Sequence, residues 1–443
     1  MASAVEQLAA NLSFSALAKS EELKKRIWFT LGALIIYRLG SYIPIPGIDS
    51  VTLEQFANQN ASGIMGWMNS LAGGALGRMA IFALNLMPYI SAAIIMQLMT
   101  SVSPTLEALK KEGEAGRKKI NQYTRYGTVL LAAMQAYGIA VGLEGQGNIV
   151  TDPGWFFRIS TVITLTGGTM FLMWLGEQIT SRGIGNGTSL IIFAGIVAGL
   201  PSGVAALLEL GRTGQMSFFT ILAILVMAFA VIAFIVFFEQ AQRRLLIQYP
   251  KRQIGMKMTQ ADQSHIPLKL NTSGVIPPIF ASSLLLMPLT VANYSAGQGP
   301  DWLNEITSRL GHGQPLFLVL YAALIVFFCF FYTSIMMNPK ETADNLKKSG
   351  GFILGIRPGE KTAEYMDWIL TRITVIGAAY LVVVCMLPEL LVGYSGIPFY
   401  FGGTSLLIVV TVTLQTVAQL QGLMLAQQYG KLLQKASLRS SKR

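Results

Sequence analysis

The chain has 443 residues, 52% of them hydrophobic and only 12% charged, with a mean hydropathy of +0.52. Soluble globular chains carry about 25% charged residues, so this one cannot coat a water-facing surface; a cytosolic enzyme, a secreted disulfide scaffold and a disordered chain are excluded. Lys and Arg outnumber Asp and Glu by 33 to 22, a net charge of +11, and the two cysteines, Cys329 and Cys385, lie in apolar runs that suggest no disulfide framework.

A helix needs about 20 apolar residues to cross a bilayer, and only helices or closed barrels satisfy the backbone in hydrocarbon. Residues 1–26 form an N-terminal arm without the basic start and short apolar core of a cleavable signal. Ten apolar runs follow, near 27–43, 80–99, 127–142, 156–178, 188–208, 218–238, 274–294, 315–335, 369–388 and 400–424, with a tail at 425–443. The predicted fold is an all-α membrane protein. Its ten transmembrane helices divide into two five-helix halves, 27–208 and 209–424; an odd number per half inverts the second against the first.

Residues 44–79, between the first two spans, open on the stiff turn Pro44-Ile45-Pro46-Gly47. They continue through Gly63, Ile64, Met65, Gly66, Trp67, Met68, Asn69, Ser70, Leu71, Ala72, Gly73 and Gly74. A helix of about 12 to 15 residues is too short for a 30 Å core. A re-entrant piece lining a cavity and an interfacial helix both fit this composition. The second span contains Asn85, Pro88, Ser91 and Gln97, and Pro88 is expected to kink it. The seventh opens on Asn271, Thr272, Ser273 and Gly274, followed by Pro277-Pro278. Interrupted, polar-start helices line pathways in transporters, although packing through small residues explains the same composition.

The placement of basic residues sets orientation. Of the 33 Lys and Arg, 27 fall in the N-terminal arm, after the second, sixth and eighth spans, at Arg182 and in the tail. The alternate loops hold only Arg78, Arg212 and Arg309. Both termini are therefore expected in the cytoplasm, as are the long loops 239–270 and 336–368.

Catalytic chemistry is hard to assemble from what remains. His265 and His312 fall in loops on opposite sides of the membrane, and no HExxH, Walker loop or intramembrane aspartate pair is present. No cofactor or metal is implied. Glu177 and Glu239 lie near cytoplasmic helix ends, with Arg182 and Arg243 as candidate partners, and Arg38 is the candidate buried charge. Ion-coupled transporters place carboxylates deep in their helices. Without them, the chain reads as a passive path driven by a partner.

Several blocks are familiar. They are Ile81-Phe82-Ala83-Leu84-Asn85-Leu86-Met87-Pro88-Tyr89-Ile90-Ser91, Gly176-Glu177-Gln178-Ile179-Thr180 with Gly183-Ile184-Gly185-Asn186-Gly187, and Asn338-Pro339-Lys340-Glu341-Thr342-Ala343-Asp344-Asn345-Leu346-Lys347-Lys348-Ser349-Gly350. Gly355-Ile356-Arg357-Pro358-Gly359-Glu360 and Pro398-Phe399-Tyr400-Phe401-Gly402-Gly403-Thr404-Ser405 are two more. From the first span to the tenth, the chain resembles the SecY family, the channel subunits of the bacterial protein-export translocon.

The resemblance implies a channel in the inner membrane that passes unfolded preproteins outward, or releases hydrophobic segments and signal sequences sideways into lipid. It implies a plug at about 63–78, within the Gly63–Gly74 run and its continuation. It also implies a constriction ring of Leu86, Ile90, Thr188, Ile192, Ile279 and Ile408. A lateral gate is implied with Ser91 facing Met287. SecE and SecG are the implied companions, with the SecA motor, the ribosome and anionic phospholipids as further partners. Docking would fall on Arg357, Arg243, Arg244, Lys251, Arg252, Lys257, Lys347 and Lys348. Three departures stand out: Thr188 in an aliphatic ring, with a hydroxyl expected to bond back to its own helix; Asn85 where the family usually has glycine; and Met256 where relatives usually show arginine.

Overall fold

Each predicted apolar run contains a helix. The computed structural model describes residues 21–49, 52–53, 69, 72–145, 149–214, 217–249, 253–254, 257–258, 263–294, 314–395 and 403–440. In chain order the helices are α1 (Glu21–Gly40), α2 (Met87–Val102), α3 (Pro104–Lys111), α4 (Glu114–Gly145), α5 (Trp155–Arg182), α6 (Gly187–Arg212) and α7 (Phe218–Gln240). Strands β1 (Gln242–Gln248), β2 (Gln253–Ile254), β3 (Lys257–Met258) and β4 (Gln263–Lys269) follow. After them come α8 (Ile276–Tyr294), α9 (Pro315–Met336), α10 (Pro339–Ser349), β5 (Phe352–Ile353), α11 (Glu360–Ser395) and α12 (Gly403–Ser440). Among the described residues, seven helices are long and apolar enough to cross a bilayer, or eight if α2 and α3, bent by 97°, count as one.

Three local expectations are corrected. Pro88 does not kink a helix spanning 80–99, because the helix starts at Met87 and Pro88 sits in its first turn. A proline's missing N–H costs nothing there, since that donor has no intrahelical partner. Residues 81–86 run as turns, with Asn85 at φ +49°, in the left-handed region. The bend falls instead at Ser103, ahead of Pro104. Likewise α8 begins only at Ile276, with Pro277 and Pro278 in its first turn and 271–275 non-helical. The third run, 127–142, is the C-terminal part of a 32-residue helix, α4, whose first turns carry the charges of the preceding loop.

The loops are not purely helical either. β1 pairs antiparallel with β4, from Gln242↔Lys269 to Gln248↔Gln263. β1 also pairs with β5, giving a three-stranded sheet ordered β4-β1-β5. The cause is period-two alternation: Leu245 and Ile247 point inward while Arg244 and Leu246 point out. Leu245 and Leu268 pack on Ile369, Leu370 and Ile373 of α11. Loops 239–270 and 336–368 are thereby joined into one platform.

The main core draws on both sets of helices, through Tyr37, Leu172, Ile191, Ile235, Ile325, Leu381 and Leu407, all almost fully buried. α4 packs on α2 and α5, α8 on α2, α4 and α9, and α12 on α6, α7 and α11. Lipid gives no hydrophobic reward for helix association, so close contact between small residues matters. At the α5–α6 junction a Cβ on Gly187 would run into the Gly176 carbonyl oxygen. At the other end of α5, Arg158 pairs with Glu144 at 2.6 Å, and the same carboxylate accepts the Gly154 N–H at 3.0 Å, tying α4 to α5.

Replacing Gly187 with Ala should destabilise the protein by about 1–3 kcal/mol, the usual cost of overpacking. The readout is the heat-unfolding midpoint of the detergent-purified variant. A midpoint equal to the parent's would show that this approach of α5 and α6 is dispensable.

Candidate functional site

Leu86, Ile90, Ile192, Ile279 and Ile408, from the 81–86 turns and from α2, α6, α8 and α12, line one cavity of about 20 Å³. That is room for about one water. Leu86 and Ile408 are buried, and the other three are partly buried against the core. Asn85, Met87, Ser282 and Thr404 complete the lining. Ser282 turns its hydroxyl back to the Ile279 carbonyl at 2.9 Å, so its polarity is spent within α8. The result is a narrow, mostly aliphatic neck assembled from segments more than 300 residues apart in sequence.

Asn85 holds its φ of +49° at the foot of this neck. Glycine adopts that conformation freely and asparagine is the next best suited, which accounts for an asparagine at this position.

Thr188 lines a different cavity, of about 340 Å³, together with Tyr89, Asn121, Thr124, Arg125, Gly176, Glu177, Thr180, Ser181 and Asn186. Its hydroxyl does not bond back along its helix. Instead it reaches Asn186 Oδ1 at 2.7 Å, and Asn186 caps α6 by accepting the Thr188 N–H. The sequence pairing of Glu177 with Arg182 is also corrected: Arg125 of α4 donates to both Glu177 oxygens at 2.7 Å. Glu239 accepts from Asn271 Nδ2 at 2.6 Å rather than from Arg243. Arg182 and Arg243 are exposed, whereas segments packed alongside present the partners, Arg125 from α4 and Asn271 from the turn before α8.

Of the run Gly63–Gly74, Asn69 and Ala72–Gly74 are described, and Gly63, Ile64, Met65, Gly66, Trp67, Met68, Ser70 and Leu71 lie outside the described residues. Residues 72–79 form turns. Asn69 accepts the Gly77 N–H through Oδ1 at 2.7 Å, and its carbonyl accepts the Gly74 N–H at 2.8 Å. Arg38 does not merely snorkel. Its NH1 donates to the Gly73 carbonyl at 2.8 Å and its NH2 to the Tyr42 hydroxyl at 2.9 Å. The Arg78 guanidinium also lies over the Tyr42 ring, 4.3 Å from its centroid. Gly73 has φ +65°, and a Cβ there would sit 3.0 Å from Gly195 of α6. Only glycine fits both the conformation and the space.

Ser91 is half-buried on α2, which packs against α8; the side chain of Met287 on α8 lies outside the described side chains. Arg243 and Arg244 are exposed on β1, Lys347 and Lys348 on the last turn of α10, and Arg357 on the turn before α11. The Arg357 carbonyl accepts the Thr362 hydroxyl at 3.0 Å, which holds that turn. Lys251, Arg252 and Met256 lie outside the described residues, and Lys257 is described only as β3 backbone. The sequence reading missed Met87, Ser282 and Thr404 at the neck. Ser282 follows Ile279 by three residues and Thr404 precedes Ile408 by four, the spacing of one helix face, so that signal was available once the ring was known.

Residues 80–417 match the SecY family profile. The chain is 54% identical over 422 residues to the protein translocase subunit SecY of Escherichia coli K12, covering 94% of this chain and 95% of that one. It is 55% identical over 425 residues to the protein of the same name from Rickettsia bellii, covering 95% and 98%. A solved protein-conducting channel superposes with a TM-score of 0.65 at 17% identity over 91% of this chain and 93% of that one. Sec61 from a canine ribosome-channel complex gives 0.62 at 17% identity, with the same 91% and 93% coverage. At that identity the likeness speaks for the fold.

Losing the Arg38–Gly73 bond through Arg38→Met should raise amide hydrogen exchange across 72–80 about tenfold or more, since a charged hydrogen bond contributes about 1.5–3 kcal/mol. Exchange measured by mass spectrometry tests this. An unchanged rate would mean that Tyr42 and Gly195 hold the segment without Arg38.

Proposed function

Because the chain belongs to the SecY family, we propose that it is the protein-conducting subunit of a Sec translocon in the bacterial inner membrane, a multi-pass channel rather than an enzyme. Unfolded preproteins pass outward through it, and sufficiently apolar segments leave sideways into lipid. The observation that carries this reading is the neck: five aliphatic side chains converging on one cavity of about 20 Å³. An ion stripped of water in such a neck faces an idealised cost of tens of kcal/mol, and apolar constrictions also close by dewetting. A peptide differs, because aliphatic side chains rotate aside without breaking hydrogen bonds. Leu86, Ile90, Ile192, Ile279 and Ile408 form the seal, with Thr188 at its wider, polar edge. The Gly63–Gly74 run and its continuation to Arg78 act as the plug.

In this reading ten helices span the membrane as two inverted halves, 27–208 and 209–424, with both termini cytoplasmic. Positive-inside placement of the basic loops supports that orientation. The seam between α2 and α4 on one side and α8 and α9 on the other is the lateral gate. A segment leaves through it when its leucines, worth about −0.5 kcal/mol each, outweigh its charges, at about 3 kcal/mol for a central Arg. The joined platform bearing Arg243, Arg244, Lys347, Lys348 and Arg357 docks the SecA motor or ribosomal RNA phosphates. SecE and SecG complete the complex, and anionic headgroups meet the remaining basic loops.

The test is reconstitution into vesicles with SecA, SecE and SecG, asking whether an unfolded precursor becomes protease-protected when ATP is added. Protection is expected, and Arg357→Glu should cut its rate about tenfold or more while the protein remains folded. No protection with every partner active would favour a solute permease instead.

A second measurement addresses the gate. With Ser91→Cys and Met287→Cys together, oxidation should stop both export and membrane insertion, and reduction should restore them. Export continuing in the oxidised form would contradict a seam at α2 and α8.

A further inference from the structure

The 340 Å³ chamber beside the neck has a use that the seal does not explain. Its described lining is uncharged except for Arg125 and Glu177. Their side chains are 45% and 44% exposed, so this pair faces water. Half-exposed ion pairs exchange partners at little net cost. One Arg125 nitrogen bridges both Glu177 oxygens. A carboxylate has about four acceptor sites, so Glu177 keeps capacity for a second cation without releasing the first.

Position makes that capacity useful. Thr188 lines the chamber and Ile192 the neck on the same helix, about 6 Å apart along its axis. On α2 the consecutive residues Tyr89 and Ile90 line the chamber and the neck respectively. An extended chain covers about 3.3 Å per residue, so about two residues span the step along α6 from Thr188 in the chamber to Ile192 at the neck. Lys118 and Lys119 are exposed on α4 ahead of the lining residues Asn121 and Arg125, and Arg182 is exposed next to the lining residue Ser181. Glu177 is the one carboxylate among the described lining residues of this chamber.

We propose that Glu177 is a specificity-determining residue that holds the Lys or Arg preceding the apolar segment of an entering polypeptide, with Arg125 as the resident cation that shares the carboxylate. The anchored basic residue stays in the chamber while the apolar residues after it reach the neck and the seam. This rests on the protein-conducting reading above.

Two precursors differing only by Lys→Gln immediately before the apolar run are presented to vesicles holding the parent complex, Glu177→Gln or Arg125→Gln. The readout is the ratio of their initial rates of protease protection. Glu177→Gln should lower the Lys-to-Gln ratio about three- to fivefold, whereas Arg125→Gln should leave it equal or raise it. In the parent, raised ionic strength should lower the ratio as well, because exposed charges are screened. A merely structural ion pair would slow both precursors in parallel in both variants, and that result, or a parent ratio indifferent to salt, overturns the proposal while leaving the channel intact. If the parent protects neither precursor, the channel reading fails and this proposal with it.

Discussion

Charge and bare backbone polarity are expensive in hydrocarbon, and most of this architecture follows from that cost. It confines the basic residues to loops and helix ends and makes each apolar run helical. At the neck the same cost works in the protein's favour. Aliphatic side chains from α2, α6, α8 and α12 leave a space of about 20 Å³. A lone hydrated ion does not fit there, and an ion without its water has nothing to bond.

Several of the polar groups that enter the interior are matched, whereas the buried hydroxyls of Thr161, Thr169, Ser405 and Thr411 make no hydrogen bond among the described residues. Arg38 finds the Gly73 carbonyl and Tyr42, Glu144 finds Arg158 and the Gly154 N–H, and Glu239 finds Asn271. Ser282, Thr128, Thr333 and Thr374 return their hydroxyls to their own helices. In a medium where lipid rewards no helix contact, these bonds and the close approaches at Gly176 and Gly187 hold helices in register. The Arg38 bond is of a different kind. It links α1 to a turn with few regular backbone bonds of its own, so it sets how firmly the segment beside the neck is held.

The wide chamber and the narrow neck sit one helical turn apart yet have opposite chemistry. Polar residues on the first turn of α6 come from its Asn186 cap and Thr188, and aliphatic ones follow a turn later. The contrast is one of chemistry within one helical turn: a polar, partly charged lining on one side and an aliphatic one on the other.

Much was legible in the residues alone. Hydropathy located every apolar run, because burial in lipid needs long uninterrupted stretches, and charge bias led to an expected orientation, because Lys and Arg cannot rest in hydrocarbon. The neck residues came from resemblance, since Leu86 or Ile408 looks like any apolar residue of a span. Only the tertiary structure decided which helices bring those side chains together, that Pro88 starts a helix rather than kinking one, that two loops share a sheet, and that Glu177 faces Arg125 rather than Arg182. These depend on contacts between segments far apart in the chain, and hydrophobic periodicity carries no information about which distant partner a face will meet.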